Sequence, residues 1–170
     1  MLSKIRGDAN SVPKTFGYKL ENRLATLSDE EEACKKPNWA YYFAKNIPGA
    51  DIEKCQEAAC KDAKWALCFA RDIPGADIGK CQEAACKVPY YAYLFAYYIP
   101  GADKEKCQEV ACRNPLYAYY FALDIPGADK EKCQEATHKD PQYAYLFAWD
   151  IPGADIEKCK QACKGTGYAF

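Results

Sequence analysis

The sequence predicts an all-α protein, an αα-solenoid of five short helix-turn-helix repeats behind an N-terminal half-repeat cap. Three observations predict it. A 26-residue unit recurs five times, starting at Lys36, Asp62, Val88, Asn114 and Asp140. Each unit spaces apolar residues at i, i+3, i+4 and i+7, one face of a helix. Each also carries an Ile-Pro-Gly-Ala-Asp break, as in Ile47-Pro48-Gly49-Ala50-Asp51. A period of this length marks a stacked array in which every unit buries its apolar face on its neighbours. Function is then expected on a surface of equivalent positions rather than in a catalytic pocket.

The elements follow in order. Residues 1–27 share nothing with the repeat and form an N-terminal arm, either loose or strapped across the first units. Ser28-Asp29-Glu30-Glu31 reads as a capping box. The helix it opens runs through Ala33-Cys34-Lys35 and matches the end of a repeat's second helix, Ala59-Cys60-Lys61. Residues 28–35 are therefore the capping half-repeat. Repeats span 36–61, 62–87, 88–113, 114–139 and 140–165. In each, a first helix opens at Pro37, Ala63, Pro89, Pro115 or Pro141, proline being suited to the first helical position. Asn114 and Asp140 precede it as N-caps. Ala40, Phe43, Ala44 and Ile47, with their counterparts in every copy, form the core stripe. Pro48 stops the helix, and Pro48-Gly49 fits the middle of a type II turn. Asp51 then caps a second, antiparallel helix from Ile52 to about Lys61. Residues 166–170 look like a truncated sixth first helix whose Tyr168-Ala169-Phe170 covers the last apolar face.

Comparison of the five copies separates scaffold from surface. Positions equivalent to 38, 41, 42 and 45 face away from the core stripe and vary between copies. From the third copy onward they turn apolar and aromatic: Tyr90, Tyr93, Leu94, Tyr97, Leu116, Tyr119, Tyr120, Leu123, Tyr145, Leu146 and Trp149. A contiguous exposed patch of this kind marks an interaction site, and Tyr and Trp are typical interface anchors. The alternative is sideways packing against adjacent first helices, which weighs most on positions 41 and 42. The predicted partner-binding set is Tyr90, Tyr97, Leu116, Tyr120, Leu123, Leu146 and Trp149, rimmed by charges such as Arg71 and Asp72. The second helices repeat Asp51, Glu53, Lys54, Gln56 and Glu57 with small changes, which reads as a solvated charged face.

Of the eleven cysteines, most fall on two ladders. One is Cys55, Cys81, Cys107, Cys133 and Cys159; the other is Cys34, Cys60, Cys86 and Cys112, with His138 at its fifth rung. Cys163 is displaced by a one-residue deletion, and Cys68 is extra. Within one helix, residues five apart diverge by about 140°, a poor geometry for one metal. Three readings stay open. The cysteines are small apolar core residues. Or the ladders are stapled by disulfides joining Cys34 to Cys55, Cys60 to Cys81, Cys86 to Cys107 and Cys112 to Cys133. Or Cys133, His138, Cys159 and Cys163 hold a metal, suggested by the Cys-to-His exchange.

Net charge is −1, with 23 basic and 24 acidic residues, which disfavours nucleic acid as a partner. No stretch suits a membrane span, and the first residues lack the apolar run of a signal peptide, so a cytoplasmic protein with mostly reduced thiols is expected. No enzymatic constellation is evident. The single histidine, His138, occupies a repeat position, and the three serines, Ser3, Ser11 and Ser28, have no base beside them. The glycines belong to turns rather than a phosphate loop. No cofactor is expected.

The run Asp140-Pro141-Gln142-Tyr143-Ala144-Tyr145-Leu146-Phe147-Ala148, with Pro152-Gly153-Ala154-Asp155, resembles short tandem helical repeats of phage, viral and bacterial proteins. It is more distantly similar to tetratricopeptide-like hairpins, whose unit is longer. The resemblance covers residues 28–170 and implies protein or peptide binding, by analogy of fold. Other readings are self-association into a dimer or filament, a phage- or virus-encoded inhibitor that occludes a host factor, and a thiol-rich metal or redox protein.

Overall fold

The computed structural model of the chain describes residues 27–168 and 170. Among them lie eleven helices and no strand. They are α1 (Leu27–Ala33), α2 (Pro37–Asn46), α3 (Ile52–Ala59), α4 (Ala63–Asp72), α5 (Ile78–Ala85), α6 (Pro89–Tyr98), α7 (Lys104–Ala111), α8 (Pro115–Asp124), α9 (Lys130–Thr137), α10 (Pro141–Asp150) and α11 (Ile156–Cys163). The N-terminal arm lies outside the described residues, apart from Leu27.

The reversal inside each repeat follows from its proline and glycine. The carbonyl of Ile47 accepts from the N–H of Ala50 at 3.2 Å, and Gly49 between them has φ +80°. That is a type II turn, which demands positive φ at its third residue and so favours glycine. The turn recurs at Gly75, Gly101, Gly127 and Gly153. Two residues later Asp51 accepts the N–H of Lys54 and caps α3, as Asp77, Asp103, Asp129 and Asp155 do for the later second helices. The second helices end at Ala59 and its equivalents, two residues before the expected Lys61. There Lys61 and Asp62 bond back only three residues, to Ala58 and Ala59, and the chain tightens into the next repeat.

Two layers result. The first helices α2, α4, α6, α8 and α10 pack side by side, and each second helix lies against its own hairpin partner and the next first helix. Alanine makes this close approach possible: Ala40, Ala66, Ala92, Ala118 and Ala144 are completely buried. Phe69, Phe95, Phe121 and Phe147 fill the space beside them, also without exposure. Each such ring contributes about 1.5–3 kcal/mol by leaving water. Ala33 of α1 is equally buried, so the half-repeat covers the apolar face of the first unit. The helix already contains Leu27 and Ser28, so Ser28 sits within its first turn and is not the expected N-cap. No helix among the described residues is long and apolar enough to cross a membrane.

Candidate binding surface and the ladders behind it

The variable stripe of the first helices divides by position. At position 45, Lys45, Arg71, Tyr97, Leu123 and Trp149 form an exposed row along five successive helices. Its apolar members retain 43, 45 and 67% of their surface. At position 38, Tyr90 and Leu116 are half-buried, and Tyr90 packs on Tyr117 with ring centroids 5.4 Å apart. At position 42, Tyr120 and Leu146 are half-buried. Tyr93, Leu94 and Tyr119, at the positions 41 and 42 on which sideways packing weighed most, are buried. They fill the seams between neighbouring first helices: Tyr93 stacks on Tyr120 at 5.9 Å, and Tyr119 meets Tyr143 at 6.3 Å.

The buried tyrosines reach a polar partner through the seam. Tyr93 donates to Asp124 at 2.6 Å, Tyr119 to Asp150 at 2.5 Å, and Tyr41 to Asp72. Each pair spans 31 residues, from one first helix to the end of the next. Where Tyr gives way to Leu67, the partner position holds Tyr98 instead of Asp. Burial, with the carboxylate behind it, raises the phenols, Tyr41 to about 12. Asp72 also accepts two bonds from Arg71, at 2.7 and 3.0 Å, and one from Lys45 at 3.1 Å. These donors, Arg71 foremost and then Tyr41 and Lys45, hold the Asp72 carboxyl well below the usual range. Arg71 is therefore tied down at the rim rather than extended toward solvent.

Among the described residues no first helix follows the one that carries Tyr145. The rings of Tyr168 and Phe170 lie 5.5 and 5.3 Å from it, and both remain about two-fifths exposed. The chain end covers this face only in part.

The second helices are not a uniform solvated face. Gln56, Gln82, Gln108 and Gln134 are buried to 6% exposure or less. Each reaches across to the next repeat and bonds both backbone groups of its capping aspartate. Gln108 Nε2 donates to the Asp129 carbonyl at 2.6 Å, and the Asp129 N–H donates to Gln108 Oε1 at 3.0 Å. Glu30 takes the same place in α1 and accepts the Asp51 N–H at 2.7 Å. In the fifth repeat, after which the described residues hold no further repeat, the residue is Lys160 and is exposed. The recurrence of glutamine here in four repeats reads as charged helix surface, because its partner 21 residues onward gives it no local signature.

The two cysteine ladders meet across the same seam. Cys34 and Cys55, Cys60 and Cys81, Cys86 and Cys107, and Cys112 and Cys133 have sulfurs 3.9, 3.8, 3.6 and 3.7 Å apart. The second member of each pair is fully buried and the first half-exposed. At the fifth rung, His138 Nε2 is buried and has no hydrogen-bond partner among the described residues. Of the suggested metal set, Cys133 lies against Cys112 and Cys163 donates to the Pro141 carbonyl at 3.3 Å. Among the described residues no group of three or more His, Cys, Asp or Glu side chains is placed to hold a metal ion.

No protein-family model, curated protein or solved structure matches the chain.

Proposed function

We propose that this chain is a non-enzymatic, cytoplasmic helical-repeat protein that binds another protein or peptide along the position-45 row. The observation that carries the reading is the exposure of Tyr97, Leu123 and Trp149 on three successive, parallel first helices. Large apolar side chains held open in register cost solvation unless something covers them. Adjacent packed helices lie about 8–10 Å apart. A bound segment would then present apolar residues at that interval: every third residue of an extended chain at about 3.3 Å per residue, or every seventh of a helix at 1.5 Å. Half-buried Tyr90, Leu116, Tyr120 and Leu146 on the same helices would flank the row, and Arg71 would lie at its charged end.

The test is selection from a displayed random-peptide library, with wild type beside Tyr97→Glu, Leu123→Glu, Trp149→Glu. Expected is enrichment of peptides with apolar residues at one of those intervals on the wild type, lost on a variant of unchanged helicity. Equal enrichment on both proteins, or none on either, would count against the row.

A second reading, self-association, is favoured by the C-terminal end, where Trp149, Tyr168, Phe170 and Ile156 are all exposed. It predicts a mass by light scattering that rises with concentration and falls in Trp149→Ser. The likeness of the repeat to phage and viral repeats fits a partner that is a host factor, occluded through the same row.

A further inference from the structure

We propose that the four cross-repeat cysteine pairs are disulfide-forming sites, closed by exchange with a small-molecule disulfide such as oxidised glutathione, so that each repeat becomes stapled to the next. The inference is independent of what the first helices bind.

Geometry carries it. In all four rungs that hold two cysteines, the sulfurs stand 3.6–3.9 Å apart. A disulfide is about 2.05 Å long, so each sulfur needs to move by about 1 Å, within the range of side-chain torsions. The outer partners are well placed to move. Cys60, Cys86 and Cys112 are C-cap residues, and Cys34 follows the last residue of α1. Access is asymmetric. Cys112 lines a surface cleft of about 430 Å³, together with Glu109, Lys132, Glu135 and Lys139. Cys86 lines a second, of about 260 Å³. The inner partners have no exposure at all.

This asymmetry assigns the two thiols their order. The S–H···S bond favours charge on the outer sulfur: it lowers Cys60, Cys86 and Cys112 and raises Cys81, Cys107 and Cys133, with burial adding to the rise. At the first rung burial dominates and Cys34 is raised. The outer thiolate attacks one sulfur of the small disulfide, forming a mixed disulfide and releasing one small thiolate. The inner thiol then gives up its proton, displaces the second small thiolate from the outer sulfur and closes the bond. Two protein thiols are oxidised by two electrons, and one small disulfide is reduced to two thiols, which take up the protons. In a cytoplasm, where glutathione keeps thiols reduced, the ladder stands open and closes when that poise shifts.

The test uses the full chain, purified reduced, equilibrated with oxidised glutathione, quenched in acid, and alkylated in denaturant for intact mass and peptide mapping. Expected is a fall from eleven reactive thiols to three, namely Cys68, Cys159 and Cys163, with links 34–55, 60–81, 86–107 and 112–133. Eleven remaining thiols, lasting glutathione adducts in place of links, or other pairings would overturn the proposal. The His138→Cys variant supplies a gain that misfolding cannot mimic: a fifth link, 138–159, in a chain that again keeps its native helicity. Absence of that link while the other four form would show that the seam does not direct the pairing. Cys112→Ser should remove only the 112–133 link and leave Cys133 free; scrambling of the remaining pairs would refute the ladder.

Discussion

Replacement of Gln108 by leucine tests whether the repeats are joined by the buried amide bonds or by apolar contact alone. Gln108 is 5% exposed and makes two bonds to Asp129. The Asp129 carbonyl keeps a second donor, the Cys133 N–H at 3.1 Å. Its loss therefore costs about 0.5–1.5 kcal/mol, the usual net worth of a hydrogen bond. The Asp129 N–H is left without its acceptor, which adds about 1–3 kcal/mol. Leucine retains apolar bulk and recovers a little by burial. The expected destabilisation is about 2–4 kcal/mol, concentrated at the junction of the third and fourth repeats. Because stability in a stacked array sums unit and interface terms, the loss should also reduce cooperativity. Urea unfolding followed by helicity should show a lower midpoint and a shallower slope. Lys160→Leu, at the equivalent position with no repeat beyond it, should change stability by less than about 0.5 kcal/mol. A Gln108→Leu protein within about 0.5 kcal/mol of wild type would refute the amide seam as a source of coupling.

Gly127→Ala should cost about 1–2 kcal/mol through its positive φ alone, since a Cβ there meets nothing within 4 Å; urea midpoints decide. Tyr93→Phe should cost about 1–2 kcal/mol by removing the bond to Asp124. The converse double change, Leu67→Tyr with Tyr98→Asp, should show favourable coupling of about 1 kcal/mol in a double-mutant cycle, and additivity would deny the pair. Asp72 has a folded pKa below its unfolded value, so its contribution is complete above about pH 4 and is lost as pH falls through the folded value. Asp72→Asn should flatten that part of the acid stability curve. The raised phenols act in the opposite window. Their contribution is whole below the ordinary tyrosine value of about 10 and is lost as pH climbs toward 12, where Tyr41 ionises. Ultraviolet titration should show phenolate appearing together with unfolding.

The layers of this molecule were legible because they are written in one unit. The i, i+3, i+4, i+7 stripe, the Pro-Gly turn and the capping aspartate each act within a few residues, and Gly49 at φ +80° is what a type II turn requires. The exposed row at position 45 was legible for the same reason, as the helix angle opposite Phe43 and Ala40. Burial of Tyr93, Leu94 and Tyr119 was legible as the sideways packing that weighs most on positions 41 and 42, but not its extent. Helix geometry gives the direction of a side chain but not the distance to the next helix, and alanines at the seam bring that helix close enough to cover positions 41 and 42.

The polar contacts that join repeats, unlike the four cysteine pairings, were hidden by the same periodicity that revealed the fold. Glutamine meets aspartate 21 residues apart, and tyrosine meets aspartate 31 apart. Neither spacing equals the 26-residue period, so aligning copies places the partners in different columns and makes each look like an isolated recurrence. The informative positions are the irregular ones. Leu67 loses a hydroxyl, and Tyr98 appears where an aspartate would have been left without it. Gln gives way to Lys160 in the fifth repeat, where the described residues hold no following aspartate cap to bond. Glu30 stands at the other end, where it accepts the Asp51 N–H with one oxygen and turns the other toward Lys54 Nζ, 3.9 Å away. Exceptions within a repeat therefore report its interfaces. By that logic His138, at the rung equivalent to Cys112 and with its Nε2 buried and without a hydrogen-bond partner among the described residues, marks the rung at which the run of cysteine pairs breaks.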